Sequence, residues 1–125
     1  NYTALENVMF PMQINNIKNE KEKAISILED FGLIHRKNNL PSELSGGEQQ
    51  RVAIARAISF EPKIVLADEP TGNLDEKNAL VLIELLKKIN KDFNQSIILT
   101  THNPDVAKLG YHRYNLVNGI LKIKQ

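Results

Sequence analysis

The sequence predicts an α/β fold in which a helical first part leads into a parallel sheet packed against helices. Three patterns support this class. Apolar residues recur at helical spacing in the first part of the chain, and two short apolar runs, at 64–67 and 96–101, flank one long amphipathic segment. The dipeptide Asn118-Gly119 separates two strand-like runs near the end. A layered unit of helices and strands accounts for all three patterns.

The composition limits the classes of protein to which the chain can belong. The 125 residues are 42% hydrophobic and 25% charged, which fits one modest globular unit or part of one. The net charge of +1 is too small to favour binding to nucleic acid or anionic lipid by overall electrostatic attraction. The lack of cysteine excludes disulfides and thiolate metal sites and fits a reducing cytosol. Since no apolar run approaches the roughly 20 residues that span a bilayer, and Asn1 does not begin a signal peptide, we expect a partner to supply any membrane role.

Caps and periodicity predict the first two helices. Thr3 and Glu6 have the spacing of a capping box and predict a short helix that ends near Pro11. The apolar residues between Glu20 and Phe31 lie on one helical face, and Gly32 is a natural C-terminal stop. The first part of the chain is therefore expected to be helical.

Two short segments of this helical part allow more than one interpretation. Val8, Met9 and Phe10 are expected to belong to the core, and an exposed contact surface is the alternative. The run 35–37 (His-Arg-Lys) is interpreted as a solvated basic turn without chemistry.

The third helix is predicted to begin at Ser45 and to run to about Ser59. Ser45 and Glu48 again have capping-box spacing. Gly46 and Gly47 remove Cβ from the first turn, so that a ligand can approach bare N–H groups at the positive end of the helix dipole. An ordinary capped helix with a flexible first turn is the alternative, because Ser-x-x-Glu is a common pattern.

The run 64–67 (Ile-Val-Leu-Ala) is predicted to be a strand buried on both faces, because it is continuously apolar. It ends at Asp68, Glu69 and Pro70, and ligands of parallel sheets bind at the carboxyl ends of strands. Alternation along the chain points the two carboxylates in different directions, so one can hold a metal-bound water while the other faces a nucleophile. A solvated loop with two surface acids is the alternative.

A second strand is predicted to bring a histidine to the same edge. Asp75 is a plausible N-cap for a helix from Lys77 to Ile89, which is apolar over most of its circumference and expected to be deeply packed. The run 96–101 then forms a second buried strand, and strand–helix–strand implies a right-handed parallel crossover. His102 therefore emerges beside Asp68 and Glu69. Alone, such a histidine is more often a hydrogen-bonded structural residue.

The end of the chain is predicted to hold two short elements without chemistry. Residues 103–108 are expected to form a short helix. The runs 111–117 and 120–123 flank Asn118-Gly119 and predict a hairpin that ends the sheet.

Four segments in this order resemble motifs of the nucleotide-binding domain of ATP-binding cassette (ABC) transporters. The segment LSGGEQQR resembles the signature motif, Ile64–Glu69 a Walker B strand with its catalytic glutamate, Gly72–Asp75 the D-loop, and Thr100–His102 the switch histidine. The segment ADEPTGNLD is most similar to the matching segment of the subgroup that serves lipoprotein release, macrolide-type export and cell division. The resemblance implies a partial P-loop NTPase (RecA-like) fold. Residues 1–58 would be a helical subdomain that includes the signature helix, and 59–125 the last part of the catalytic core.

The resemblance also implies roles for individual residues in ATP hydrolysis with Mg²⁺. Glu69 would orient or deprotonate the attacking water, His102 would contact the terminal phosphate, and Asp68 would hold Mg²⁺. The residues that would meet a nucleotide held by a second subunit are Ser45, Gly46, Gly47 and Glu48, with Asp75 linking the two sites. The implied partners are a second nucleotide-binding domain and a transmembrane permease, with no nucleic acid. The implied location is cytoplasmic, on the inner face of the membrane through the permease.

The chain departs from the family in one decisive way. A phosphate-cradling loop needs G-x-x-x-x-G-K-[ST], and the chain has no Gly-Lys pair. In this family the adenine-stacking aromatic residue and the glutamine switch also lie before the matching segment. We therefore expect the 125-residue chain by itself neither to bind ATP tightly nor to hydrolyse it. The resemblance implies that the strand ending at His102 lies between the Walker B strand and the missing phosphate-loop strand, which would leave one flank unpaired and favour association.

Two other classes compete with the transporter interpretation. A chromosome-maintenance or DNA-repair ATPase of the same superfamily also has a Ser-Gly-Gly signature and an Asp-Glu pair. QQRVAIARA and PTGNLD are transporter-like, however, and no heptad run leads into Ser45. A nonenzymatic docking module fits the missing phosphate loop, but the intact set of Asp68, Glu69 and His102 argues against it.

Overall fold

The computed structural model describes residues 2–123. Asn1, which belongs to the first predicted part, and residues 124–125, which belong to the second, lie outside the description. Its helices are α1 (Ala4–Ile14), α2 (Glu20–Asp30), α3 (Gly46–Ile58), α4 (Glu76–Asp92) and α5 (Pro104–Ala107). Its strands are β1 (Ile64–Asp68), β2 (Ser96–Thr100), β3 (Tyr114–Val117) and β4 (Ile120–Ile123). Single 3-10 turns occur at Ile34–Arg36 and Pro41–Glu43. The order of helices and strands confirms the predicted α/β class.

Local signals define the ends of the first two helices. The Glu6 carboxylate accepts a hydrogen bond from the Thr3 backbone N–H at 2.7 Å, which completes the capping box of α1. Pro11 lies in the last turn of α1. After α2, Gly32 has φ +66°, and the Leu33 N–H donates to Leu28 O at 2.7 Å. This is the glycine C-cap that the sequence predicts.

One apolar core runs through both parts of the chain. Helix α1 packs against α2 and α3, and α3 contacts α4. The core prediction is confirmed for Val8, which is fully buried, but it is wrong for Phe10, which is 44% exposed and stacks on Tyr2. The buried members of this core include Ala4, Met12, Ala24, Leu28, Val52, Ala55, Ile58, Val65, Leu82, Leu86 and Ile89.

Strands β1 and β2 form the predicted parallel pair. Their register runs from Ile64 opposite Ser96 to Asp68 opposite Thr100. The expectation that both faces are buried is wrong: Val65 is 6% exposed, but its neighbour Leu66 is 76% exposed. The reason is that no element among residues 2–123 packs on the face that carries Leu66. A continuously apolar run indicates a strand, but a nonlocal layer must cover its second face.

Helix α4 shows the same difference between pattern and packing. Its predicted N-cap is present, since Asp75 accepts a hydrogen bond from the Asn78 N–H at 2.8 Å. One side of the helix is buried, but Leu80 is 57% and Val81 44% exposed. The expectation of deep packing around most of the helix is therefore wrong on that side, because no described element lies against it.

The terminal hairpin forms as predicted but does not end the main sheet. Asn118 and Gly119 have φ +49° and +77°, as a tight two-residue hairpin turn requires. Strands β3 and β4 pair only with each other, and every residue in them is exposed. The short helix α5 and residues 108–113 separate them from β2, and no described strand joins the two sheets. Within 2–123, no helix is long and apolar enough to cross a bilayer.

Candidate functional site

The ends of β1 and β2 are tied together at one edge of the sheet. Asp68, the last residue of β1, lies opposite Thr100, the last residue of β2, and the Thr100 hydroxyl donates a hydrogen bond to Asp68 Oδ1. One residue further on, the Glu69 N–H donates to Thr100 O at 3.0 Å. The pairing of the two chain segments therefore extends one residue past β1 and brings Asp68 and Glu69 to the same edge of the sheet. The parallel crossover brings His102 to that edge as well.

Glu69 is oriented by the residues that follow β2. Its Oε1 accepts the His102 backbone N–H at 2.7 Å and lies 3.5 Å from His102 Nε2, while the Thr101 hydroxyl donates to Oε2 at 3.4 Å. The His102 side chain is fully exposed. We call Asp68, Glu69 and His102 the edge cluster. The structure brings these three residues together at this edge, as the sequence predicts.

The backbone at Glu69 is not the one on which the predicted divergence of the two acids depends. Strand alternation requires an extended backbone at Glu69, whereas Glu69 lies beyond β1 and has φ +43°. This left-handed conformation is uncommon for a residue with a side chain and costs roughly 1–3 kcal/mol. Glu69 accepts hydrogen bonds from Thr101 and His102, and Asp68 accepts one from Thr100, so both carboxylates are directed toward the end of β2. Strained backbone of this kind is concentrated at functional sites.

A compact turn leads from the edge cluster to α4. The Gly72 N–H donates to Glu69 O at 3.0 Å, and the Leu74 N–H donates to Thr71 O at 3.1 Å. A Cβ on Gly72 would lie 3.4 Å from Glu69 O, which is ordinary van der Waals contact, so the turn leaves room for a side chain there. The turn ends at Asp75, the N-cap of α4, so that the five residues 70–74 connect Glu69 to Asp75.

The signature segment begins α3 with the predicted cap. The Ser45 hydroxyl accepts the Glu48 N–H at 3.3 Å, and Glu48 Oε2 accepts the Ser45 N–H at 2.9 Å. Ser45 and Gly46 are exposed, and a Cβ on Gly46 would meet no atom within 4 Å. The first turn of this 13-residue helix therefore presents an open, electropositive end.

The Glu48 carboxylate is committed to its own chain. Besides Ser45, it accepts a hydrogen bond from Arg36 Nε at 3.0 Å and lies 3.8 Å from His35 Nε2, and its side chain is 12% exposed. The Ser45 N–H and, after it, the Arg36 guanidinium hold the pKa of Glu48 below its ordinary value, against the opposing effect of burial. The prediction of a solvated basic turn without chemistry does not include this structural contact, by which Arg36 holds Glu48 at the start of the signature helix.

Gly47 differs from its neighbour Gly46. It is buried, and a Cβ on it would lie 2.7 Å from Asn78 Cγ in the first turn of α4. Asn78 donates hydrogen bonds to Asp75 from its backbone N–H and from its side chain. These bonds lower the pKa of Asp75, the backbone bond more than the side-chain bond. The first turns of α3 and α4 therefore lie side by side. This geometry explains Gly47 by packing against Asn78 rather than by direct ligand access.

The structure thus gathers the predicted site residues into two groups. The edge cluster lies at the end of the sheet, and Ser45, Gly46, Gly47 and Asp75 lie where α3 and α4 begin, with Glu48 turned toward Arg36. Across residues 2–123, no group of three or more His, Asp or Glu side chains is arranged to enclose a metal ion. Asp68 presents a carboxylate at the edge beside Glu69, which suits a cation that is also held by substrate phosphates.

The fold and these two groups have the arrangement that the sequence predicts for part of an ATP-binding cassette. The chain belongs to the ABC transporter family, whose sequence profile matches residues 1–72.

Curated relatives show which members of that family the chain is similar to. The chain is 49% identical to the lipoprotein-releasing system ATP-binding protein LolD 2 of Chlorobium chlorochromatii, over 96% of this chain and 51% of the relative. It is 48% identical to LolD of Pseudoalteromonas translucida, over 99% of this chain and 54% of the relative. The chain thus spans about half the length of the curated relatives it matches. These relatives support the predicted subgroup.

Solved structures confirm the predicted fold. An ABC transporter in an inward-facing conformation matches with a TM-score of 0.90 and 27% identity, over 99% of this chain and 52% of that one. A dimeric ATP-binding cassette in a post-hydrolysis state, bound to ADP and Pi, matches with a TM-score of 0.84 and 35% identity, over 99% and 56%. The layered arrangement is therefore that of part of an ABC ATPase cassette.

Proposed function

We propose that this chain supplies the signature motif and the catalytic edge cluster of the ATP-hydrolysing subunit of a lipoprotein-releasing type of ABC transporter. In this proposal, residues 1–58 are the helical subdomain and 59–125 are the last part of the catalytic core. The observation that carries it is the edge cluster, in which Glu69 is held by the His102 N–H at 2.7 Å beside Asp68. The similarity to relatives named as lipoprotein-releasing ATP-binding proteins supports the choice of substrate system.

Glu69 acts on the attacking water. Each of its oxygens already accepts one hydrogen bond, which fixes the carboxylate but leaves lone pairs free to accept a proton from water. The water oxygen forms a bond to the terminal phosphorus as the bond to the bridging oxygen breaks, so that ADP leaves and the water proton passes to Glu69. Catalysis in such phosphoryl transfers is mainly positioning and charge stabilisation. The two strand ends provide that positioning.

His102 and Asp68 handle the phosphate charge. The fully exposed imidazole of His102 stands next to Glu69, where it contacts the terminal phosphate. The Asp68 carboxylate is a hard oxygen ligand of the kind that Mg²⁺ prefers, and the Thr100 hydroxyl orients it. When bound, Mg²⁺ supplies positive charge to the phosphate oxygens.

The start of α3 serves a nucleotide held by a second cassette. The Ser45 hydroxyl and the Gly46 N–H are exposed at the positive end of α3, where a phosphate is stabilised. Gly47 allows the first turn to pack closely, and Glu48 contributes through the cap that orients Ser45. Asp75 links the two nucleotide sites of the dimer. A twofold pairing of cassettes is the arrangement in which these groups meet a nucleotide.

A transmembrane permease and a second cassette are the proposed partners, with no nucleic acid. This places the protein on the cytoplasmic face of a membrane. The exposed Phe10, stacked on Tyr2, and the exposed Ile14 are apolar features of the helical part that fit the permease contact.

The test uses a full-length cassette in which this chain replaces the matching half of the Chlorobium chlorochromatii relative, which we call the chimera. We expect the chimera to release phosphate from ATP in the presence of Mg²⁺, whereas the 125-residue chain alone does not. A folded chimera that releases no phosphate, under conditions in which the intact relative is active, would overturn the proposal.

A further inference from the structure

Asn78 lies in the first turn of α4, outside the four motifs, and contacts two of them at once. Its backbone N–H donates to Asp75 Oδ1 at 2.8 Å, and its side-chain Nδ2 lies 3.0 Å from each Asp75 carboxylate oxygen. The other side of the same side chain packs on Gly47 of the signature segment. One residue therefore joins the cap of α4 to the first turn of α3.

A side chain at position 47 would require Asn78 to shift. A Cβ there would lie 2.7 Å from Asn78 Cγ and 3.1 Å from Asn78 Cβ. The amide of Asn78 cannot rotate away without losing its hydrogen bonds to Asp75, and its Cβ cannot move without moving α4. Steric fit and hydrogen bonding therefore fix the same geometry from opposite sides.

The neighbouring glycine shows that this constraint is specific. A Cβ on Gly46 would meet no atom within 4 Å, although Gly46 and Gly47 are adjacent in the same turn. The glycine pair thus has two separate physical explanations. Gly46 leaves open space at the end of the helix, whereas Gly47 makes room for Asn78.

We propose that Asn78 is a positioning residue that sets the signature segment and Asp75 in a fixed relation, so that both reach the opposing cassette together. This proposal rests on the proposed function, since it is the nucleotide of a second cassette that both groups would meet. A small shift of either group is costly, because misplacement by about 1 Å can reduce a rate by about a hundredfold.

A double-mutant cycle in the chimera tests the link. The variants are Gly47→Ala, Asn78→Ala and the double variant, with Lys77→Ala as the control on the exposed side of the same turn. We expect Gly47→Ala to lower kcat by about tenfold or more, with a smaller effect on KM for ATP. In the Asn78→Ala background the same change should cost less than about threefold, because groups in contact are not additive. Lys77→Ala should retain the parent kcat.

Fold losses that simply multiply, or an Asn78→Ala chimera with the parent kcat, would overturn the proposal. A lowered melting temperature without this non-additivity in kcat would indicate a merely structural residue.

A second readout does not depend on hydrolysis. Amide hydrogen exchange of residues 45–48 should become about tenfold faster in Asn78→Ala, since a lost contact of this kind is worth about one factor of ten. Unchanged exchange in that segment would also overturn the proposal. A parent chimera that releases no phosphate but shows this exchange effect would reject the proposed function and keep the link between Asn78 and Gly47.

Discussion

The Glu69 carboxylate accepts the backbone N–H of His102 at 2.7 Å, so the residue that follows β2 orients the acid that follows β1. The two residues are 33 positions apart in the chain. Parallel pairing of β1 with β2 brings them together, and the left-handed backbone at Glu69 directs its side chain across the strand ends. The chemistry of the edge cluster therefore depends on the register of this short sheet.

Replacing His102 tests the assignment to phosphate. His102→Ala in the chimera should lower kcat by about a hundredfold, the usual cost of removing one group that stabilises transition-state charge. The backbone N–H that holds Glu69 remains, and the side chain is fully exposed, so the melting temperature should not change. Steady-state phosphate release and thermal unfolding measure the two effects. A loss of stability that accounts for the loss of rate would contradict the assignment.

Glu48→Ala should destabilise the chimera more than Glu6→Ala. Both substitutions remove the acid of a capping box, but only Glu48 is also paired with Arg36. Each substitution removes the hydrogen bond that the acid accepts from the N-cap N–H, and the unpaired Arg36 adds to this loss at Glu48. Urea unfolding of the two variants compares them. Equal losses would show that the ion pair with Arg36 contributes nothing.

The lowered pKa of Glu48 predicts the direction of a pH effect. A depressed folded-state pKa means that the ionised carboxylate stabilises the fold at neutral pH. This contribution is complete above the unfolded-state pKa of about 4.3 and is lost as the pH falls through the lower folded-state value. The difference in unfolding free energy between the parent chimera and Glu48→Gln should therefore shrink as the pH falls from 7 to 3. A difference that stays constant or grows would contradict the pairing.

The exposed face of the β1–β2 sheet predicts association of the 125-residue chain. Leu66 is 76% exposed, and Ile64 and Ile98, on the same face, are each 56% exposed. An apolar face of this kind beside an unpaired strand flank is an association hazard. We expect sedimentation to show oligomers that Leu66→Lys reduces, whereas Val65→Lys prevents folding because Val65 belongs to the core. A monodisperse, cooperatively unfolding parent chain would contradict this.

Patterns within a few residues of one another predicted most of the fold. The caps at Thr3, Ser45 and Asp75, the glycine stop after α2 and the hairpin turn each depend on neighbouring residues. The edge cluster was also predictable, because a parallel crossover places successive strand ends on one side. Burial was not, since the exposure of Leu66 depends on which distant layer covers it.

The missed contacts are nonlocal. Arg36 meets Glu48 across 12 positions, and Gly47 of α3 meets Asn78 of α4 although β1 lies between the two helices in the chain. A basic turn that precedes an acidic first turn was a signal for the first contact. No local pattern marks the second, because Asn78 resembles any polar residue at the start of a helix.

The most direct test of the account compares two glutamates at opposite ends of β1. Glu61 precedes the strand and pairs with Lys23, whereas Glu69 follows it in the edge cluster. In the chimera, Glu69→Gln should lower steady-state phosphate release by more than about a hundredfold, the usual contribution of a general base, while Glu61→Gln retains the parent rate. Phosphate release by Glu69→Gln at the rate of the Glu61→Gln control would contradict the claim that the sheet edge carries the chemistry.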